Sequence, residues 1–450
     1  MTTGARAICW AICHLLVMSD VTCFSPILIP SQTANFAHQR TISRLPPLSY
    51  RELDDGDADT SAGIKVQSLT PPGYSTREAL EIQAQAPAPK SGVNTALLRA
   101  IITNQVFILG LASVASAGIL TFTDGLGWIQ QLPSILDWGL SQHQGGVNLS
   151  DFVAPITPMR LGEGFLGSLP LIALGSSIER SDKREFATVN FSTIFMVMTL
   201  FGRRMKPDDE FLPPRLRGQP MPVTSTVEVF LKALGISALT GLCEELVFRR
   251  IVAGLIFHYT GGDVVSALLG QAILFGLGHG AGGSSSENGI VISLQAINGL
   301  WFGLLYLVSG GDIVVCMIAH AIYDLQTFFF TWLSSNDQIE YACAKYLEPF
   351  DPATAKQLQG MRAPKEVVDK CKKLFYTFDA YDKKDEALSL CEVRKGIAYL
   401  AIETSTRAPP QSEIDEAFFR LVSPGSNKLT FPQFLALFVS LTSPRRSLVS

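Results

Sequence analysis

Charged residues are scarce in this 450-residue chain: Asp, Glu, Lys and Arg make up 17%, apolar residues 47%, and the mean hydropathy is positive. Soluble proteins average about 25% charged residues, so an ordinary soluble fold over the whole length is excluded. The charge present is uneven, with apolar windows in the middle and charge gathered in the N-terminal stretch and the last third. The net charge is only -4, and no basic stripe with interleaved aromatics occurs, which excludes nucleic acid as a partner. The eight cysteines are irregularly spaced, with Cys9, Cys13 and Cys23 near the start and Cys243 and Cys316 in apolar runs. That leaves neither a disulfide framework nor a paired Cys-x-x-Cys zinc signature.

The second shortage is local. From Phe24 to Arg51 there is no acidic residue, while Arg40, Arg44 and Arg51 stand among Ser, Thr and Pro, the composition of an organelle transit peptide. Just before it, Arg6 precedes an apolar run from Ala7 to Met18, too short to span a bilayer, and Val21 and Cys23 fit a signal-peptidase site ahead of Phe24. A signal peptide over 1–23 followed by a transit-like segment over 24–51 resembles the bipartite presequences of algae whose plastids lie inside extra membranes. A plastid membrane is therefore the expected location. Residues 52–94, acidic and then Pro/Ala/Gln-rich, read as a disordered linker.

What the middle of the chain has is apolar length. Segments at about 101–122, 161–178, 186–202, 226–257, 264–280, 290–308 and 313–333 each approach the length a helix needs to cross hydrocarbon. The second is the weakest, since it carries Glu163 and Pro170. Lipid admits only helices or closed barrels, and these runs are too long for barrel strands, so 95–333 is expected to be a multi-pass α-helical bundle. Trp128 and Trp138 bracket an amphipathic stretch suited to the headgroup level. The basic segment 203–217 marks the side that is not translocated.

Ionisable residues inside spans are costly and therefore functional suspects. "GLCEELVFRR" places Glu245 and Arg249 four apart, where they can pair on one helix face, and turns Glu244 about 100° away from that face. "ILFGLGHG" sets Phe275 and His279 on one face, and "CMIAHAIYDL" does the same for His320 and Asp324. Imidazoles and carboxylates gathered this way can hold and deprotonate a water, as hydrolysis requires.

Glu-Glu-x-x-x-Arg, Phe-x-x-x-His and His-x-x-x-Asp in this order resemble the three motifs of the type II CAAX prenyl endopeptidase and bacteriocin-processing (CPBP, Abi) intramembrane proteases, with Asp324 where Asn is also common. The resemblance covers the core 226–333. It implies an endopeptidase acting on membrane-associated protein substrates, with Glu244 and His279 activating water, His320 and Asp324 orienting it or stabilising the oxyanion, Arg249 fixing Glu245, and Phe275 in the cavity. A carboxylate already paired with arginine is a poor base, which suits that division. No span contains His-Glu-x-x-His, so direct glutamate–histidine activation is favoured over zinc, for which Glu244, His279 and His320 would be the ligands. Plastid relatives in this superfamily also resemble chaperones or scaffolds, and a non-catalytic scaffold is the alternative.

After a linker expected over 334–364, residues 365–443 read as a small soluble α-helical domain. "DEALSLCEVRKGI" and "NKLTFPQFLALF" resemble exit halves of EF-hands, with Leu388 and Leu429 as the central apolar residues. Aligning Glu392 to the twelfth loop position puts Tyr381 and Lys383 where oxygens belong and Glu386 where the turn glycine belongs, while the second loop has Gln433 at its twelfth position. The expected role is a docking module for a protein partner, with calcium no tighter than millimolar.

Overall fold

The computed structural model describes residues 92–442 apart from 137, 139–155, 205–221, 280–284, 362 and 404–407. The signal, transit-like and most of the linker segments expected before residue 92 lie outside the described residues, as does 205–217 of the basic stretch. The described residues are mostly helical. The bundle comprises α1 (Thr95–Asp124), α2 (Trp128–Leu136), α3 (Pro158–Arg180), α4 (Arg184–Phe201), α5 (Thr226–Glu245), α6 (Ala253–Tyr259), α7 (Val264–Gly278), α8 (Ser285–Val308) and α9 (Ile313–Leu325). A π-helical segment, Leu246–Val252, joins α5 to α6, and a second, Gln326–Phe330, joins α9 to α10 (Thr331–Leu347).

Among the described residues five helices are long and apolar enough to cross a membrane: Thr95–Asp124, Pro158–Arg180, Thr226–Tyr259, Gly289–Val308 and Ile313–Leu347. Their outer faces carry bare apolar side chains, Val114, Phe122 and Val308 being 73%, 92% and 85% exposed, which suits a lipid solvent rather than water. The sequence suggested seven spans. α7 has 15 residues, about 22 Å at the α-helical rise, short of the roughly 30 Å hydrocarbon core, and α4 opens on the charged pair Arg184 and Glu185. Trp138 is a second correction: it is 1% exposed and donates its indole N–H to the Arg249 carbonyl at 2.7 Å, so it is a core residue and not an interfacial one. The 334–364 stretch, expected as a linker, is mostly helical, and Arg204 ties its α10 part to the bundle through Asp337 and Glu340 at 2.6 and 2.5 Å.

Local chemistry explains the register. Ser225 caps α5 by accepting from the Glu228 N–H, an S-x-x-E start. Two Gly-Gly-Asp turns, 261–263 and 310–312, reverse the chain before α7 and α9. Each pair of glycines takes positive φ, and each aspartate then caps the next helix. Asp312 also pairs with Arg160 at 2.6 Å, which fastens α9 to α3.

Beyond α10 come α11 (Pro352–Met361), α12 (Lys365–Asp379), strand β1 (Leu388–Ser389), α13 (Leu390–Glu403), α14 (Gln411–Leu421), strand β2 (Lys428–Leu429) and α15 (Phe431–Thr442). The two strands pair antiparallel, Leu388 against Leu429, and join two helix–loop–helix halves over a core that includes Phe375, Phe378, Phe418 and Phe434.

Candidate active site

The residues singled out in the sequence come from three different helices and meet inside the bundle. Gly241 makes the meeting possible: a Cβ there would lie 2.8 Å from the Met317 carbonyl oxygen, so α5 and α9 approach backbone to backbone one turn before Glu244 and Glu245. Small residues at such crossings are how membrane helices pack closely.

Glu245 is fully buried and doubly held. Its Oε2 lies 3.1 Å from Arg249 Nε, and its Oε1 accepts from His320 Nδ1 at 2.7 Å. Arg249, also fully buried, spreads its guanidinium over the rings of Phe275 and Phe302, at 4.7 and 5.3 Å. The π-helical segment has the wider turn that lets two consecutive arginines turn inward, Arg250 reaching the Gly311 carbonyl at 3.1 Å and lying over Tyr306.

Glu244 is held differently. Its Oε1 accepts from Gln105 Nε2 of α1 at 3.0 Å, whereas its Oε2 makes no hydrogen bond with the protein and faces His279 Nε2 at 3.9 Å and His320 Nε2 at 3.7 Å. Both rings are fixed from behind. His279 Nδ1 donates to the Phe275 carbonyl at 2.7 Å, which leaves the neutral ring an acceptor at Nε2, and His320 stacks on Phe302 with centroids 4.7 Å apart. Asp324 Oδ2 stands 3.7 Å from His320 Nε2 and also lacks a protein hydrogen bond. Four groups thus converge at separations too long for direct hydrogen bonds and of the size a single bridging water spans.

Every site residue named from the sequence is therefore buried in one cluster. Phe275 does more than line a cavity, since it supplies the carbonyl for His279 and a face for Arg249. Sequence reasoning missed Gln105 and also Asn298 of α8, a buried amide that lines the same cavity and donates to the Tyr323 hydroxyl at 3.4 Å. Both are neutral amides in apolar runs, and the only signal they gave was polarity without charge. The cavity has a volume of about 280 Å³ and is lined by Glu244, Phe275, His279, His320 and Asp324 at one end.

No curated protein and no solved structure matches the chain. Residues 226–326, which hold all three motifs and the cluster they form, match the family model described as type II CAAX prenyl endopeptidase, Rce1-like.

Proposed function

We propose that the protein is an intramembrane endopeptidase that hydrolyses peptide bonds of membrane-associated protein substrates with water activated by Glu244 and His279. The observation that carries this reading is the convergence of Glu244 Oε2, both imidazole Nε2 atoms and Asp324 in a buried cavity. A water there gives its proton to Glu244 or His279, and the hydroxide attacks the scissile carbonyl. His320, its Nδ1–H held by Glu245, donates from Nε2 as the imidazolium toward the developing oxyanion, and Asn298 lines the same cavity with an amide that can also donate. The proton then passes to the leaving amine, as a general acid–base pair requires.

Direct activation is preferred to zinc. No span carries the His-Glu-x-x-His arrangement, and the three candidate ligands Glu244, His279 and His320 sit on separate helices. The scaffold reading would need the bundle alone and leaves the converging acid–base groups without a task. We further propose delivery to a plastid membrane through the N-terminal presequence, and an EF-hand-like docking role for residues 365–443.

The test is purification in detergent, elemental analysis, and cleavage of membrane-anchored peptides with and without a strong chelator. Cleavage that survives chelation but is lost in Glu244→Gln and His279→Ala supports the proposal. Stoichiometric zinc, with activity lost to chelator and restored by metal, overturns direct activation. Absence of cleavage together with a partner complex that survives Glu244→Gln overturns the enzyme. Fusing residues 1–60 to a fluorescent reporter tests location, and a reporter confined to the secretory pathway or cytosol overturns plastid import.

A further inference from the structure

The cavity that contains Glu244 and His279 does not end within the bundle. Its lining also includes Tyr323, residues of α3 and α4, and Tyr381, Lys395 and Tyr399 of the C-terminal domain. These residues are fixed there by a built contact. Arg394 pairs with Asp182 in the α3–α4 turn at 2.6 Å, Lys395 Nζ donates to the Glu179 carbonyl at 2.7 Å, and Tyr399 packs with Ala187 and Ala398, its ring 6.2 Å from Phe191. The domain that follows the bundle is thus one wall of the cavity that the bundle's reactive groups open into.

Lys395 is the charge on that wall. It is only 8% exposed, between the rings of Tyr381 and Tyr399 at 5.7 and 5.8 Å. Its bond to the Glu179 carbonyl takes one of three ammonium donors, and the other two are directed by a side chain that lines the cavity. Burying an ammonium is costly unless an anion or several acceptors face it. The carboxylates of Glu179, Asp382 and Glu392 act on Lys395, Glu179 from an exposed position, yet none of them pairs with its ammonium within salt-bridge distance. The cavity is also lined by Glu244 and Asp324, whose carboxylates repel an acidic group. Lys395 is therefore the cationic side chain among the lining residues that an anionic group of a polypeptide in the cavity can meet.

We infer that Lys395, framed by Tyr381 and Tyr399, is a specificity-determining residue of this cavity and binds a carboxylate of the substrate polypeptide at a distance from the scissile bond. The inference rests on the proteolytic reading and gives the soluble domain a share in substrate choice. The carboxylate has two sources, an Asp or Glu side chain or the chain's own C-terminus.

The experiment uses the full chain carrying Glu244→Gln, so that binding is read without cleavage. Fluorescent peptides are compared that differ only in Glu against Gln or Lys at one position, and in a free against an amidated C-terminus. A charge-assisted contact is expected to favour the acidic member by about 10–100-fold. Whichever pair shows the preference identifies the source. The preference should vanish with Lys395→Gln, reverse toward the Lys peptide with Lys395→Glu, and persist in Lys395→Arg, which keeps the charge even if the neutral variant folds poorly. Equal binding of all peptides, a preference that survives Lys395→Gln, or one lost in a folded Lys395→Arg overturns the inference. Cleavage by the unmutated protein is scored separately. Cleavage indifferent to the carboxylate leaves proteolysis standing and sinks the Lys395 subsite, whereas selective binding without any cleavage does the reverse.

Discussion

Glu244 and Glu245 are adjacent in sequence and opposite in chemistry, and their neighbours decide which does what. Glu245 is ion-paired with Arg249 and hydrogen-bonded by His320, while one oxygen of Glu244 faces the two imidazoles without a cationic partner or a protein donor. Glu244→Gln keeps the shape and removes the base, so turnover should fall by about 10²–10⁴-fold with the fold retained. Glu245→Gln instead leaves Arg249 buried without its partner and should lower stability by about 3–5 kcal/mol, read as a lower melting temperature in detergent. Equal effects of the two on turnover, with no difference in melting, would contradict this division.

The charged residues at the site were legible because lipid makes each of them expensive. Gln105 was not, since a neutral amide in an apolar helix carries little cost, yet its N–H holds the other Glu244 oxygen. It acts through Glu244 as a positioning residue. Gln105→Leu should reduce kcat by about 10–100-fold while KM stays near its original value, and Gln105→Asn should recover little because the shorter arm does not reach. An unchanged kcat in Gln105→Leu would remove it from the site.

At the scale of elements, spacing gave which residues share a face but not how the helices meet. The three motifs read as three helix faces, and the i,i+4 pairs Glu245–Arg249 and His320–Asp324 did fall together. The contact of His320 with Glu245 joins two helices, and no periodicity encodes it. Nor does periodicity encode the two π-helical segments, whose widened turns look like ordinary helix in an apolar pattern. α7 was overestimated because its apolar run extends to Gly280, whereas the helix stops at Gly278 so that His279 can close the turn. The Gly241 crossing offers the sharpest test of the element arrangement. Gly241→Val forces α5 from α9, and overpacking of this kind costs about 1–3 kcal/mol. Activity should fall with it, because the Glu245–His320 bond spans that crossing. Full activity in Gly241→Val would mean that the close approach is dispensable.

The first loop of the C-terminal domain shows why its ligand count looked poor. Asp379 accepts from the Asp385 and Glu386 backbone N–H groups, each at 3.1 Å, and from the Tyr341 hydroxyl. Glu392 accepts from the Ser389 N–H at 2.7 Å, and the ammonium of Lys428, from the second loop, pairs with Asp385. Carboxylates spent on internal donors cannot also supply the six to eight oxygens that calcium requires. Calorimetric titration of the full chain should give no calcium constant tighter than millimolar. A micromolar constant would mean that Asp379, Asp382 and Asp385 rearrange into a shifted loop.

For the whole molecule, the apolar bundle suits lipid, while the C-terminal helices carry buried carboxyls outside the membrane-spanning candidates and should reveal themselves by pH. Burial pushes the carboxyls of Asp379 and Glu392 above their ordinary values, hydrogen bonds from their neighbours offsetting part of the shift. A folded-state value above the unfolded one means that the folded domain binds more protons over the interval between the two. Stability contributed by these groups therefore grows as pH falls from their raised values toward the ordinary carboxylate range near 4, and it is lost as pH rises back through that interval. Melting of the full chain in detergent, followed by the transition of the C-terminal helices, should therefore hold or rise between pH 7.5 and pH 5. Glu392→Gln removes one of the two groups and should flatten the dependence while leaving the bundle's transition where it was. A C-terminal transition that drops steadily over the same interval in the unmutated chain, and drops equally in Glu392→Gln, would show that the buried carboxyls do not govern it.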